Sequence, residues 1–326
     1  MWHKIKYAIY HKKNKKGKTI YKIFGIPFCM ADLSDMLSFI KIQRSLVVNP
    51  NQAIVMIDGG ICSQIHQWRI GEALMKKGVS VEYDISWFEE CGKDINGVFV
   101  RNFDLLKAFP NLTFSKANNQ KIRYFKKHFS YSETKGEIYL KAKCPRYFGG
   151  YYPSYYGHLL PFKFTIPFSV LDDKNLLTAK QIKKDPHPIG IHVRRGDMAV
   201  SRHNWTVCPV QYFVNAVNYF LKKYPDATFY FFSDEPNWIK KNIFPNLDKI
   251  KKQIYLIDDN GSDKGYMDLA LLSYCHHFVA SQGSMAHYAN MLNHNTDKIL
   301  IIPQKPGSSE ITLLHNLKEV NPRPFV

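Results

Sequence analysis

The stretch AIVMIDGGICSQIHQWRIGEALMKKGVSVEY, residues 53–83, predicts an α/β fold. Residues 53–57 form an apolar run typical of a buried parallel strand, and Gly59-Gly60 permits a tight turn from that strand into a helix. We expect this helix over residues 63–77 and a second strand over residues 79–83. A strand, a glycine turn, a helix and a strand in this order predict a Rossmann-like domain that begins near residue 50.

A second alternation of strands and helices follows the linker at residues 183–188. It predicts a mostly parallel sheet with helices on both faces, and ligands of such sheets bind beyond the carboxyl ends of the strands. The predicted strands cover residues 189–193, 227–232, 253–257, 277–280 and 298–302, and the predicted helices cover residues 208–224, 237–243, 267–275 and 284–293.

The chain is therefore expected to have three parts. They are a basic N-terminal extension over residues 1–50, an N-terminal Rossmann-like domain over residues 51–182 and a C-terminal Rossmann-like domain over residues 183–326. Two Rossmann-like domains in series enclose a cleft, and we expect a ligand there.

The composition narrows the class of protein. The 326 residues include 45 Lys and Arg against 27 Asp and Glu, which is a formal net charge of +18. With 45% hydrophobic and 14% aromatic residues, the chain is globular rather than disordered. Its apolar runs are far shorter than the ~20 residues that a membrane-spanning helix needs. The six cysteines form no C-x-x-C pair and the N-terminus carries no signal-peptide pattern, so we expect reduced thiols and a cytoplasmic location.

The N-terminal segment, residues 1–31, is strongly basic. It contains eight lysines and no Asp or Glu, interleaved with aromatic and aliphatic residues. Such a segment can lie on an anionic membrane, bind the phosphates of a nucleic acid, or be a solvated tail. We favour peripheral membrane contact and expect no nucleic-acid partner, because nothing later in the chain resembles a nucleic-acid-binding module.

A pair of arginines follows the strand over residues 189–193, where the chain reads His192-Val-Arg194-Arg195-Gly-Asp197. Guanidinium groups at a strand end can bind phosphate oxygens in a bidentate geometry that lysine cannot reproduce. The other interpretation is a surface pair between an arginine and Asp197. Two further segments follow strand ends, Ser233-Asp234-Glu235-Pro-Asn-Trp238 and Ser281-Gln-Gly-Ser284, and the segment Asp268-Leu-Ala-Leu-Leu-Ser-Tyr-Cys275 belongs to the predicted helix that precedes the strand over residues 277–280.

With these segments and Gly59-Gly60-Ile-Cys-Ser-Gln64, followed by Gln67 and Gly71, the sequence resembles the bacterial α-1,2-fucosyltransferases, glycosyltransferase family 11. The resemblance covers about residues 53–303, and HVRRGD is its most specific part. Two segments depart from the family pattern: Ile61-Cys62-Ser63 stands where the family has L-G-N, and residues 281–287 replace a turn that the family writes N-S-T-F-S-W-W.

The resemblance implies a GT-B-like fold, two Rossmann-like domains around a cleft, and a metal-independent enzyme that uses GDP-fucose and needs no cofactor. The reaction would be inverting transfer of L-fucose to a hydroxyl, O2 of galactose, on a surface-glycan or O-antigen oligosaccharide. A lipid-linked acceptor at the inner face of the cytoplasmic membrane suits the basic N-terminal segment. The sequence contains no D-x-D motif that would hold a divalent metal beneath a diphosphate, which agrees with this expectation.

The resemblance also implies roles for individual residues. Arg194 would be the main contact of the pyrophosphate, and Arg195 would support it or the loop. His192 and Asp268 would lie by the guanine or ribose, and Asp234 would order the donor loops. Ser284 is the preferred phosphate-binding hydroxyl, with Ser281 as the alternative, and Gly59, Gly60 and Gln64 would face the acceptor.

The acceptor hydroxyl must lose its proton as it attacks, and a carboxylate within hydrogen-bond reach is the usual base. Asp197 is the candidate nearest to the arginines, although it can equally orient an arginine, and Asp84 and Glu90 are further candidates. Two other functions stay open: a related GT-B transferase with another nucleotide sugar or linkage, and a non-catalytic, basic nucleic-acid-binding α/β protein.

Overall fold

The computed structural model describes residues 9–13, 19–23, 26–93, 97, 99–131, 143–150, 164–200 and 207–315, with the backbone alone for residues 9–36, 197 and 200. The basic segment, residues 1–31, thus lies wholly outside the described side chains. By its contacts the chain forms two compact units. Unit 1 comprises Met1–Met56, Leu74–Asp84 and Ser115–Gly149, and unit 2 comprises Ile57–Ala73, Ile85–Phe114 and Gly150–Val326.

Unit 1 contains two three-stranded sheets. One is an antiparallel sheet in the order β1-β2-β3, and the other is a parallel sheet in the order β5-β4-β6. Strands β4 and β5 confirm the two strands predicted from residues 53–83. The elements are β1 (Ile9–Lys13), β2 (Thr19–Ile23), β3 (Ile26–Cys29), α1 (Met30–Val48), β4 (Gln52–Met56), β5 (Ser80–Asp84), α5 (Asn119–Phe129) and β6 (Arg146–Phe148).

Helix α1 contributes to the core of unit 1, whereas the prediction assigned residues 1–50 to an extension. Ile42 is buried, and Phe39 and Leu46 pack against the same cluster as Ile54 and Phe125. The apolar residues of α1 have no strict amphipathic pattern in the sequence, so their packing against α5 and the parallel sheet is a tertiary property. The second half of the predicted extension therefore belongs to the folded unit.

Unit 2 is built on a six-stranded sheet in the order β12-β11-β10-β7-β8-β9, parallel except for the pair β11 and β12. All five strands predicted for this region are present, and β12 is an antiparallel addition that was not predicted. The α/β class is thus confirmed. The strands are β7 (Pro188–Val193), β8 (Thr228–Ser233), β9 (Ile254–Ile257), β10 (His277–Ala280), β11 (Ile299–Pro303) and β12 (Ile311–His315).

Most helices of unit 2 connect these strands. Helix α2 begins at Ile61, directly after the glycine turn in which Gly59 has a φ of 68°, and its residues up to Ala73 group with unit 2. The α-helices are α2 (Ile61–Met75), α3 (Ser86–Glu90), α4 (Leu105–Ala108), α6 (Asp173–Lys184), α7 (Gly196–Val200), α8 (Val210–Lys223), α9 (Pro236–Asn242), α10 (Gly265–Tyr274) and α11 (Met285–Leu292), and 3₁₀ segments cover Phe168–Val170 and Phe244–Gln253.

The core of unit 2 holds β7 at the centre of the sheet. Helix α8 begins after Pro209, within the predicted helix over residues 208–224, and buries Tyr212, whose hydroxyl donates to the carbonyl oxygen of Ala280 at 2.6 Å. On β7, a Cβ at Gly190 would clash with Cδ1 of Leu272, so this glycine lets α10 pack closely on the strand. These contacts fix the strand ends that carry the candidate site.

The predicted domain 51–182 contributes segments to both contact-defined units. The division of the chain into folding domains at residue 183 stays a prediction.

Candidate active site

Three loops meet at the carboxyl ends of β10, β7 and β8, which are neighbours in the sheet. The backbone N–H of Arg194, directly after β7, donates to Oγ of Ser281 at 2.8 Å. The backbone N–H of Arg195 donates to Oδ1 of Asp234 at 3.0 Å. The structure therefore brings together the three segments that the sequence placed at strand ends, in the position where open α/β sheets bind ligands.

The side chain of Arg194 is held by an acidic residue and faces a glycine turn. Its Nη1 lies 2.6 Å from Oδ2 of Asp234, and both side chains are largely covered. Gly283 has a φ of 106°, and a Cβ at this position would lie 3.5 Å from Cγ of Arg194. Asp234 thus fixes both the backbone after Arg194 and its guanidinium, and its predicted role in ordering the donor loops stays a prediction.

Arg195 has a different environment. Its Nε lies 3.2 Å from Oε2 of Glu235, and its Cζ lies 3.9 Å from the centre of the Trp238 ring at the start of α9. A guanidinium stacked on an indole at this distance makes a favourable cation–π contact. Of the two roles that the sequence left open for Arg195, these contacts favour support of the loop.

The loop after β7 is tightly packed. A Cβ at Gly196 would lie 2.5 Å from Oδ2 of Asp234 and 3.2 Å from Cε2 of Phe99, so a glycine is required at the start of α7. The Ser233 hydroxyl donates to the carbonyl oxygen of Val193 at 2.7 Å and accepts from the N–H of Glu235 at 2.9 Å. The backbone of Asp197 lies in α7, but its side chain is outside the described part, and its role as general base stays a prediction.

Two buried histidines lie beside the arginine loop. Burial and the positive charge of Arg194 lower the pKa of His192, at the end of β7, to about 3. Burial and the proximity of His192 lower the pKa of His287, in α11, to about 4. The buried Nδ1 of His287 has no hydrogen-bond partner in the described structure. Both imidazoles are therefore neutral at pH 7. No role was predicted for His287, because its burial near His192 comes from the packing of α11 against β7.

The two candidate serines have different surroundings. Ser281 is buried, and its hydroxyl accepts the N–H of Arg194, so it has a structural task. Ser284 is partly exposed at the N-cap of α11, and its side chain makes no capping hydrogen bond. The geometry favours Ser284 as the hydroxyl for a phosphate, at a helix end whose N–H groups attract anions.

Asp268 belongs to a separate hydrogen-bonded cluster. Its Oδ1 accepts from Nδ2 of Asn260 at 2.8 Å, and Asn260 is bonded in turn to Asn175 at the start of α6. Burial raises the pKa of Asp268 to about 7, an effect that the bond from Asn260 opposes and the charge of Asp259 strengthens. The predicted contact of Asp268 with a nucleoside stays a prediction.

In the predicted acceptor loop, the side chain of Gln64 makes all of its hydrogen bonds within the protein. Nε2 of Gln64 donates to the carbonyl oxygens of Gly59 at 3.0 Å and Asn102 at 2.8 Å. Its Oε1 accepts from the N–H groups of Asp104 at 2.9 Å and Leu105 at 3.0 Å. An amide with all four bonds made inside the protein holds the Gly59-Gly60 turn in place, and the predicted acceptor-side role of Gly59, Gly60 and Gln64 stays a prediction.

The same glycine turn lies close to the turn before α11. Sγ of Cys62 is 3.8 Å from Sδ of Met285, within unit 2. The first residues of α2 and α11 are thus neighbours. This contact brings together the two segments in which the sequence departs from the family pattern, residues 61–63 and 281–287.

The other two carboxylates considered as general bases, Asp84 and Glu90, differ in burial and in their partners. Asp84 is buried in unit 1, where it accepts from the Tyr147 hydroxyl at 2.7 Å and pairs with Lys126 at 3.0 Å. These partners give Asp84 a structural role. Glu90 is exposed at the end of α3.

Among the described residues, no group of three or more His, Cys, Asp or Glu side chains has a metal-binding arrangement. No described helix has both the length and the apolarity needed to cross a bilayer.

Comparison with known proteins identifies the class. Residues 116–319, more than half of the chain, match the family described as glycosyl transferase family 11, and the chain belongs to this family. The resemblance expected from HVRRGD and its companion motifs is thereby confirmed.

Individual relatives are distant. The O-antigen biosynthesis glycosyltransferase WbnK of Escherichia coli is 25% identical over 129 residues, which are 39% of this chain and 41% of that protein. An alpha-1,2-colitosyltransferase of Escherichia coli is 22% identical over 275 residues, which are 77% of this chain and 90% of that protein. Among solved structures, the fucosyltransferase NodZ from Bradyrhizobium aligns with a TM-score of 0.48 and 12% identity, covering 82% of this chain and 100% of NodZ.

Proposed function

We propose that this chain transfers L-fucose from GDP-fucose to a hydroxyl, O2 of a galactose, on an O-antigen or other surface-glycan oligosaccharide. The observation that carries the proposal is the arginine loop of a family 11 chain, fixed where three parallel strand ends meet. The names of the two Escherichia coli relatives, an O-antigen glycosyltransferase and an alpha-1,2-transferase, support the acceptor class and the linkage.

In the proposed reaction the acceptor oxygen attacks the anomeric carbon from the face opposite the diphosphate. The new bond to the acceptor forms as the bond to the β-phosphate oxygen breaks, so the anomeric configuration inverts. Arg194 stabilises the negative charge that grows on the β-phosphate, and preorganised donors of this kind contribute several kcal/mol. Asp197 takes the proton of the acceptor hydroxyl.

The remaining residues bind and orient the two substrates. Ser284 and the backbone N–H groups at the start of α11 bind phosphate, and Arg195 holds the loop through its contacts with Glu235 and Trp238. The neutral imidazole of His192 lies by the nucleoside together with Asp268. Gly59 and Gly60 face the acceptor.

Metal independence is part of the proposal, because arginines can stabilise the departing diphosphate in place of a divalent cation. We expect transfer to persist in excess EDTA at the rate measured without it. An assay of sugar transfer with and without EDTA checks this. Loss of activity on chelation, restored by Mg²⁺ or Mn²⁺, would show that the protein uses a metal.

A thermal-shift screen against GDP-, UDP- and CDP-sugars tests the donor. A ligand present at a hundredfold excess over its Kd stabilises the folded state by about 2.7 kcal/mol, so the preferred nucleotide raises the Tm. We expect a shift with GDP and GDP-fucose. The second step is transfer to a soluble galactoside, with the linkage and anomeric configuration read by NMR. A shift with UDP or CDP sugars alone would contradict the proposal.

A different sugar on the donor is the second candidate. The relative that aligns over most of this chain is named a colitosyltransferase, and residues 281–287 depart from the family pattern beside Arg194. Competition between GDP-fucose and GDP-colitose in the same transfer assay distinguishes the two donors. The higher kcat/KM identifies the preferred sugar.

The acceptor is proposed to be lipid-linked, with the enzyme on the inner face of the cytoplasmic membrane. The support is the charge of residues 1–31, eight lysines and no acidic residue. Each lysine near an anionic surface contributes roughly 1 kcal/mol before screening. A comparison of kcat/KM on a soluble and a lipid-linked form of the same oligosaccharide tests this part.

A further inference from the structure

Helix α1 has apolar residues on two opposite sides. One side carries Ile42, which is buried, with Phe39 and Leu46 packed beside it in the core of unit 1. At 100° per residue, Leu37, Ile40, Val47 and Val48 fall within an arc of about 100° on the other side. We call this second side the outer stripe of α1. A helix that is apolar on both sides is normally covered on both.

The outer stripe is open to solvent. Val47 and Val48 are 85% and 87% exposed, Leu37 is 52% exposed and Ile40 is 39% exposed. These four are among the nine large hydrophobic residues that are exposed in the described part of the chain. A shallow groove runs between Ile40, Arg44 and Val48. Contiguous exposed apolar surface of this kind is typical of interaction sites, whereas single exposed apolar residues are common everywhere on protein surfaces.

The end of the helix is fixed, so the two valines are held outward. Nε2 of Gln52, a buried residue at the start of β4, donates to the carbonyl oxygens of Asn49 at 2.7 Å and Ser45 at 3.3 Å. These bonds tie the last turn of α1 to the parallel sheet of unit 1. Val47 and Val48 therefore project from an anchored turn.

The sequence around the outer stripe is positively charged. Lys41 and Arg44 are exposed and lie within or beside the stripe, and no acidic residue occurs between residues 36 and 57. The chain before residue 36 adds eight lysines, and its only acidic residues are Asp32 and Asp35 in the first turns of α1. The first 57 residues thus contain ten basic and two acidic residues.

We propose that the outer stripe of α1 is a docking surface for an anionic lipid bilayer. Aliphatic side chains beside cations match a surface with anionic headgroups above an apolar layer. A symmetric contact with a second copy would bring Lys41 and Arg44 of both copies together with no acidic residue in the stripe to pair them. The proposal extends the proposed membrane contact, which rested on the lysines of residues 1–31, to a defined helix face.

The test measures flotation of the full chain with vesicles of phosphatidylcholine containing 30% phosphatidylglycerol. We compare the wild type with the double variant Val47→Ser/Val48→Ser, which removes aliphatic groups from exposed positions and keeps every charge. The binding constant is expected to fall by about tenfold. The matched control is Leu177→Ser, at a 68% exposed leucine on α6, which is expected to bind as the wild type does.

A charge-reversed variant, Lys41→Glu/Arg44→Glu, is expected to weaken binding most at low salt, because the Debye length is about 8 Å at physiological ionic strength. Unchanged vesicle binding by the valine variant overturns the proposal. This holds even if substitution of the lysines in residues 12–22 abolishes binding, a result that would support membrane contact by the N-terminal segment alone. A wild-type dimer that the valine variant converts to a monomer in light scattering also overturns it. Transfer to a soluble acceptor is measured separately, so failure of the docking surface is distinguishable from failure of the proposed transferase.

Discussion

Arg194 and Arg195 are neighbours in the chain and have different partners in the structure. Arg194 is paired with Asp234 beside the turn before α11, whereas Arg195 is stacked on Trp238 and paired with Glu235. Two identical side chains at a strand end are therefore expected to have separable effects. The first should act on the diphosphate and the second on the position of the loop.

Substitution of Arg194 tests the first role. Arg194→Lys keeps the charge but removes the planar fork, and we expect kcat/KM to fall by about a hundredfold or more, mainly through kcat. The Tm should stay close to that of the wild type. Steady-state kinetics with GDP-fucose measure the change, and Arg123→Lys, at an exposed position on α5, is the control. A lysine variant with near wild-type kcat/KM would remove Arg194 from the proposed reaction.

Substitution of Trp238 tests the second role. Trp238→Leu removes the ring under Arg195, a contact worth roughly 0.5–2 kcal/mol, and is expected to raise the KM for the donor and lower kcat several-fold. Trp238→Phe keeps an aromatic face and should restore most of the activity. Steady-state kinetics and thermal unfolding of both variants are the measurements. If Trp238→Leu lowers the Tm but leaves kcat and KM unchanged, Trp238 is only structural.

At the scale of an element, helix α11 joins the site to the sheet. Its first turn carries Ser284 at the N-cap, and one turn later it places His287 beside His192. At its other end the Lys298 ammonium donates to the carbonyl oxygen of Asn290 at 2.5 Å and also to that of Asn293, so the helix is fixed at its C-terminus. Burial lowers the pKa of Lys298 to about 8.

The lowered pKa of His287 predicts a pH dependence of stability. In the unfolded chain an imidazole takes up a proton below about pH 6.5, whereas folded His287 does so only near pH 4. Its contribution to stability is therefore complete above pH 6.5 and is lost as the pH falls toward 4. We expect His287→Gln to reduce the loss of unfolding free energy between pH 7 and pH 5.

Urea denaturation of the wild type and His287→Gln at the two pH values gives the comparison. His294→Gln, at an exposed position after α11, is the control and should follow the wild type. Equal losses in all three proteins would mean that His287 is protonated in the folded state.

At the scale of the whole molecule, the N-terminal part is both a folded element and a charged segment. Ile42→Ala should lower the unfolding free energy by about 2–5 kcal/mol, because it leaves a cavity in the core of unit 1. Ile40→Ala, on the outer stripe of the same helix, should cost less than about 0.5 kcal/mol. Chemical denaturation measures both values, and equal costs would place α1 outside the core.

This core contact changes how the N-terminal segment can be removed. A chain that starts at Ser45 lacks both Phe39 and Ile42 and is therefore expected to be destabilised. The lysines of residues 1–31 are better tested by substitution in the full chain, which leaves α1 in place.

Several features were determined by the sequence alone. Short apolar runs that end at Gly, Pro or polar residues predicted β4, β5 and five strands of the larger sheet, because a strand buried on both faces needs such a run. The positions of His192, Arg194, Asp234 and Ser281 at strand ends followed directly, since parallel strands present their carboxyl ends at one edge of a sheet. The motifs at these ends were enough to identify the family.

Other features were decided only by the tertiary structure. The different surroundings of Arg194 and Arg195, the saturated amide of Gln64 and the burial of His287 all depend on contacts between residues far apart in the chain. The same holds for α1, whose apolar residues lie all around the helix. No local pattern in that helix tells which side the core covers. Helix α5 and the parallel sheet of unit 1 cover the side of Ile42, and the outer stripe is the side that they leave exposed.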